Sequence, residues 1–238
     1  MTGRAGGAPA PFTLSLLSVQ PEIADTRVPE AFFEALAGVQ IAGCFNPWRD
    51  PNDDDAPGNG PLARLERLRA HFTVHPELVL IGEAPGYQGA RCSGVAFTNE
   101  ALLLDGAIPR CCVSERLSTR ARPWREPSAT VVWSSLYREG IAERTWMFNA
   151  FPLHPYGDNR LSNRAPSRQE VDAGAEVVDM LLRARGSASV AAVGNTAAEM
   201  LKRMGVTCAE LRHPAYGGVN AFRAGMAACC RDRVQRRP

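Results

Sequence analysis

The 238-residue chain is 45% hydrophobic and carries a formal net charge of +2. That apolar share can fill a complete core, and the length favours one domain over two. The near-balance of charge excludes a strongly basic nucleic-acid binder, so any contact with nucleic acid has to come from a local patch.

Residues 1–11, MTGRAGGAPAP, read as a disordered tail, and 12–238 as a single domain. The stretch 29–39, PEAFFEALAGV, predicts a short amphipathic helix with Pro29 in its first turn. A polar loop dense in Pro, Gly, Asn and Asp follows over 46–61. Leu62, Leu65, Leu68 and Phe72 recur at helical spacing and predict a helix over 62–72 with its arginines on the polar side. The run LVLI at 78–81 predicts a buried strand. A helix over 128–140 leads to a second strand at 145–150. Ser167 and Glu170 form a capping-box pattern that opens a helix to Gly186. A third strand (189–194), a helix (195–205), a fourth strand (206–211) and a last helix (220–234) complete the pattern. Strands that are apolar throughout and alternate with helices predict an α/β fold, a single-domain three-layer α/β/α arrangement around a four-stranded parallel sheet.

The seven cysteines include no C-x-x-C and no cluster at metal-ligand spacing, so they read as reduced, packing thiols of a cytoplasmic protein. No apolar run is long enough to span a bilayer, and the N-terminus lacks the basic-then-apolar pattern of a secretory signal.

Parallel strands send their carboxyl ends to one edge, where open α/β sheets bind ligands. Glu83 follows the first predicted strand, Asn149 ends the second, and Arg212-His213-Pro214 follows the fourth. Gly194-Asn195-Thr196 after the third reads as a helix cap. Taken singly, Glu83 reads as a surface acid, Asn149 as a loop amide and His213 as a turn histidine. Their joint occurrence at strand ends points to a site. The loop after Glu83 adds Pro85 and Gly86, which break a helix, and Gly89 and Gly94, which let backbone approach a ligand. Phe97 at its end is either core or a stacking platform for a flat ring.

The ordered set GEAPG (82–86), GVAF (94–97), a strand ending in Asn149 and HP (213–214) resembles the uracil-DNA glycosylase superfamily, nearest its family 4, over about residues 44–225. The resemblance implies that Glu83 holds or activates the attacking water and that His213 faces uracil O2; these two are the expected catalytic residues. It implies that Phe97 stacks on the flipped base and Asn149 bonds its edge, with Gly82, Gly86 and Tyr87 also at the base. The turn 213–218, with Pro214, Tyr216 and Gly217, is expected to press on DNA together with Pro85, Arg91 and Arg212, and Arg160 and Arg164 are further candidates. Family 4 members carry an iron–sulfur cluster. Here Leu153 and Gly174 stand where two of its cysteines are expected and Cys44 lacks a C-x-x-C partner, so no cluster, metal or other cofactor is expected. The final turn has Ala215 after HP in place of serine, and Gly86 stands where some relatives have a tyrosine that excludes the thymine methyl.

The expected function is that of a monomeric, monofunctional glycosylase excising uracil from DNA in base excision repair. The alternatives are a glycosylase for hypoxanthine or another modified base and a relative that binds DNA without catalysis. A nucleotide-binding protein on the same sheet is disfavoured by the lack of G-x-G-x-x-G, and a nucleophilic hydrolase by the lack of G-x-S-x-G.

Overall fold

The computed structural model describes residues 27–235, with side chains as far as residue 232. The expected tail at 1–11 lies outside the described residues. In chain order the elements are α1 (Glu30–Gly38), β1 (Cys44–Phe45), α2 (Pro61–His71), β2 (Leu78–Gly82), α3 (Ala90–Ser93), α4 (Glu100–Leu104), α5 (Pro127–Arg138), a 3₁₀ turn (Ala142–Arg144), β3 (Thr145–Asn149), β4 (His154–Pro155), α6 (Arg168–Ala184), β5 (Ser189–Val193), α7 (Asn195–Arg203), β6 (Ala209–Leu211) and α8 (Val219–Gln235).

Four strands form the expected parallel sheet in the order β3-β2-β5-β6. β2 and β3 are buried along their whole length. Such strands need helices on both faces, because neither face can meet water. α7 packs on β5 and β2 and against α6, which in turn packs on α1; α8 packs on β6 and against α5. The chain steps outward from β2 to β3, then returns past β2 to β5 and on to β6. The topological switch point therefore lies between the carboxyl ends of β2 and β5, where ligands bind in this architecture.

The capping box of α6 is present: Glu170 N–H donates to Ser167 Oγ, and Ser167 N–H to Glu170 Oε2. Other boundaries differ from expectation. The fourth strand covers only Ala209–Leu211, because Gly205 turns at a φ of 70° and Val206 N–H closes back on Leu201 O, so 206–208 is spent leaving α7. β1 and β4 form a short antiparallel pair that the sequence pattern does not mark.

The face of α2 is also corrected. Leu68 and Phe72 are buried, but Leu62 is 78% exposed and Arg64 is 0% exposed. The polar loop at 46–61 folds over this helix and supplies acceptors for the guanidinium. Arg64 Nη1 donates to both Asp55 carboxylate oxygens at 2.7 Å and to Asn59 O, Nη2 donates to Asp50 O, and Nε to Pro47 O. A buried arginine is tolerable only when its donors are paired in this way.

The long connection between α4 and α5 is pinned by one acid. Glu100, fully buried, accepts from Arg116 Nε (2.6 Å), Leu117 and Ser118 N–H, Ser118 Oγ (2.6 Å) and Trp124 N–H. These bonds and the Arg116 guanidinium hold its carboxyl below the usual range, against the desolvation that would raise it. Glu100→Ala would strand those donors in the interior, and a loss of about 3–5 kcal/mol is expected in urea unfolding. A loss under about 1 kcal/mol would show that the segment does not depend on this clamp.

Candidate active site

A cavity of about 610 Å³ opens at the carboxyl edge of the sheet. Glu83, Phe97, Asn149 and His213 all line it. Each arrives by a different element: Glu83 just past β2, Asn149 as the last residue of β3, His213 two residues past β6 and Phe97 at the end of the Gly-rich loop. The sheet register puts Gly82 opposite Asn149, so the acid and the amide leave adjacent strands at the same level.

Gly82 is where that packing is tightest. A Cβ built there would lie 2.6 Å from Phe97 Cζ and 2.8 Å from Asn149 Oδ1. The Phe97 ring and the Asn149 side chain thus meet over a glycine that only hydrogen can occupy. Phe97 itself sits at a φ of 51°, a conformation that costs a non-glycine residue about 1–3 kcal/mol. Trp133 Nε1 holds it by donating to Phe97 O at 2.9 Å, and Ser93 Oγ donates to the next carbonyl, Thr98 O. Gly82→Ala is expected to displace the Phe97 ring and the Asn149 amide together, with a stability cost of about 1–3 kcal/mol. An unmoved urea midpoint in this variant would show that the packing around Gly82 relaxes to admit a methyl group.

Thr196, which the sequence places only in a helix cap, is a site residue. Its Oγ1 donates to Glu83 Oε2 at 2.7 Å, bridging the switch point and leaving Oε1 for another partner. The cap itself is Gly194, at a φ of 90°. His213 has a defined tautomer: Ala215 N–H donates to its Nδ1 at 3.1 Å, so the neutral ring carries its proton on Nε2. Burial lowers this imidazole below its ordinary value, with Glu83 opposing the shift and Arg212 reinforcing it.

Other expected residues fall differently. Gly86 lines the cavity, whereas Tyr87 turns away and packs edge-on against Trp124, with ring centroids 5.5 Å apart. Pro85 is buried in the cavity wall and Pro214 beneath the final turn. Arg91 is corrected as a DNA contact: it is buried, its guanidinium lies 5.1 Å from the Phe45 ring centroid, and Nη2 donates to Asn52 Oδ1. Arg164 lines the cavity but is committed to Glu170 through both terminal nitrogens. Arg160 and Arg212 are exposed. Tyr216 is 97% exposed at a φ of 52°, beside Gly217 at 75°. The turn is tight, since a Cβ on Gly218 would lie 2.0 Å from His213 O.

The residues at the family 4 cluster positions do not fit a cluster. Leu153 is buried in the apolar core, and a Cβ on Gly174 would lie 2.6 Å from Pro152 Cδ. Among the described residues no group of three or more His, Cys, Asp or Glu is placed to hold a metal ion. None of the described helices is long and apolar enough to cross a membrane.

The family model of the uracil DNA glycosylase superfamily matches residues 70–232, which takes in every residue described above as lining the cavity. The chain belongs to the uracil-DNA glycosylase superfamily. Among solved structures, wild-type SMUG2 of Pedobacter heparinus shares the fold with a TM-score of 0.56 at 14% identity, over 85% of this chain and 95% of that one. No curated protein matches the sequence. Superfamily membership makes this chain a DNA glycosylase in the general sense, a hydrolase acting on DNA.

Two further polar residues of the glycosylase were passed over by sequence reading. His154 joins two segments: its Nδ1 lies 2.7 Å from Pro85 O and its Nε2 3.3 Å from Arg160 O, tying the turn after β2 to the loop after β4. Glu126, at the start of α5, also lines the cavity. A carboxylate just before a predicted helix signals only a cap, so nothing local marks either role.

Two buried imidazoles make the glycosylase fold acid-sensitive. Desolvation lowers His71 to about 3 and His154 to about 4, from an ordinary 6.5. The unfolded chain takes up protons below 6.5 that the folded chain refuses. The stability conferred by burying neutral rings is therefore complete above pH 6.5 and is lost as pH falls toward 4, at about 1.4 kcal/mol per pH unit for each ring. The urea midpoint is expected to fall steeply between pH 7 and 5, and a flat midpoint would show that these rings accept protons in place.

Proposed function

We propose that this protein is a monofunctional glycosylase that flips uracil out of DNA and hydrolyses its N-glycosidic bond, as the first step of base excision repair. The observation that carries this reading is the convergence of Glu83, Phe97, Asn149 and His213 on one cavity large enough for a nucleobase.

Flipping a base costs about a few kcal/mol, and stacking on an aromatic ring returns roughly 1–3 kcal/mol. Phe97 supplies that ring. Stacking does not select among bases, so selection falls to Asn149, whose amide matches the O4 acceptor and N3–H donor of uracil. Cytosine presents the reverse pair. As the bond between C1′ and N1 breaks, its electron pair moves onto the base and positive charge develops on the sugar. The Nε2–H of neutral His213 donates to O2 and stabilises the anion where it forms. Glu83, anchored through Oε2 by Thr196, uses Oε1 to hold the water that adds to C1′ and takes up its proton. The products are free uracil and an abasic site. No metal or other cofactor is required by this scheme.

Exposed Tyr216, on the turn beside the cavity mouth, is the wedge in this reading, filling the gap left by the flipped base. Arg212 and Arg160 contact phosphates, and the contribution is expected to weaken with salt. A monomer acting in the cytoplasm completes the proposal.

The test is scission of labelled oligonucleotides carrying uracil, hypoxanthine or no lesion, single- and double-stranded, followed by alkali. Scission at uracil alone supports the reading. Scission at hypoxanthine alone would move the substrate to a deaminated purine, and binding without scission would make the protein a non-catalytic relative.

A further inference from the structure

We propose that the connection between α4 and α5 is a fixed phosphate-binding arm, on which Arg120, Arg122 and Arg125 grip the backbone of the DNA strand whose base enters the cavity. The inference rests on the glycosylase reading above and adds a binding surface to it.

The chain has a net charge of only +2, so attraction for a polyanion has to be concentrated locally. Residues 116–127 concentrate it, with four arginines and a single acid, Glu126. Arg116 is committed to the buried Glu100 at 2.6 Å. The Glu126 carboxyl is turned inward, since a Cβ on Gly89 would lie 1.7 Å from its Oε2, and it accepts from Ser128 Oγ. Arg120, Arg122 and Arg125 remain exposed, and no ion pair among the described residues involves any of them. Three unpaired cations within six residues repel one another, yet the backbone holds them together. Ala101 N–H donates to Trp124 O at 3.1 Å, Thr119 N–H to Asp54 O at 2.9 Å and Arg116 Nη2 to Arg120 O at 2.9 Å, beside the bonds to Glu100. Arg120 is itself held, its guanidinium 3.6 Å from the centroid of the Trp124 ring. Stacking fixes the plane of a guanidinium and leaves its N–H donors at the edge, which suits a phosphate. A surface fixed before contact loses little entropy on contact.

The place of the arm identifies its ligand. The residues that follow it, Glu126, Pro127 and Ser128, line the cavity, and Trp124 packs against Tyr87 of the turn after β2. The three arginines therefore stand beside the cavity, where a strand that delivers a base must also carry its phosphates. Arg160 follows β4 and Arg212 follows β6, so the arm brings cationic donors from a third segment of the chain. Contacts to phosphate set register and affinity and carry no information on the base.

Equilibrium binding of a labelled single-stranded oligonucleotide across a salt series tests the inference. Each phosphate neutralised on a single strand contributes about 0.7 to the slope of log K against log salt. Arg120→Gln, Arg122→Gln and Arg125→Gln together are expected to lower that slope by about 2 and to weaken binding at least about tenfold at about 100 mM salt, read beside a thermal melt that reports folding. Arg122→Gln with Arg125→Gln leaves the stack of Arg120 on Trp124 intact and is expected to lower the slope by about 1.4, so this pair decides the matter if the triple variant does not fold. The control takes the same charge from the opposite edge of the sheet. Arg138, Arg183 and Arg203 stand in the last turns of α5, α6 and α7, which lead to the starts of β3, β5 and β6. Their replacement by glutamine is expected to leave the slope unchanged. An unchanged slope in the folded arm variants, or an equal fall in the control, would overturn the inference. Failure of the wild-type protein to excise any base while the arm variants still lower the slope is a different result. It would remove the glycosylase reading and leave the arm as a DNA-binding surface.

Discussion

Glu83→Gln is expected to slow single-turnover uracil excision by about 10²–10⁴-fold, the range over which a positioned acid–base group acts. The substitution keeps the size and one acceptor of the side chain, so Thr196 Oγ1 can still donate to the oxygen it now meets at 2.7 Å. In the proposed mechanism, what is lost is the negative charge beside the sugar as it becomes cationic, and the group that takes the proton from water. Stability should change little, because Glu83 is only half-buried and faces the cavity. The decisive comparison is the rate against a melting curve. A large rate loss with an unmoved melting temperature places the effect in chemistry. A variant that excises uracil at the wild-type rate would remove Glu83 from the catalytic list and shift the search for a water-holding group to Glu126, the other carboxylate lining the cavity.

His213→Ala is expected to cost about 10²–10³-fold in the same assay, as removal of a donor to a developing oxyanion does elsewhere. The direction of its proton is what matters. Ala215 N–H occupies Nδ1, so the ring offers Nε2–H, and its lowered proton affinity keeps it neutral at pH 7. A neutral donor favours the leaving anion without giving up its proton. The readout that separates this role from simple packing is substrate dependence. A 5-fluorinated uracil leaves as a more stable anion and needs the donor less, so His213→Ala should impair its excision less than that of uracil. Equal impairment for both would indicate that His213 only supports the turn that carries Tyr216.

These two expectations came from residues at strand ends, and the reason they were legible is topological. Four apolar runs separated by helical patterns admit few arrangements other than a covered parallel sheet. In such a sheet every strand delivers its following residue to the same edge. Glu83, Asn149 and His213 could therefore be brought together on paper, and all three line the cavity. Arg91 and Leu62 show where that logic ends. Both were assigned by residue type, the one to a charged surface and the other to a core, and both were reversed by a neighbour distant in sequence. Arg91 is enclosed by Asn52 from the folded-over loop and Phe45 from β1. The same loop buries Arg64 on the face of α2 that leucine spacing would have turned outward.

By itself, then, the sequence determined the parallel sheet, the alternation of its strands and helices and the edge at which chemistry gathers, because those follow from hydrophobic period and strand direction. Only the tertiary structure decided which polar groups finish the site: Thr196 on Glu83, Ala215 on His213, Gly82 beneath Phe97 and Glu126 over Gly86 and Gly89. Each of these is a contact of a few ångströms, most of them between segments far apart in the chain. A hydrogen bond or a missing Cβ acts over that distance alone, and periodicity along the chain carries no record of it.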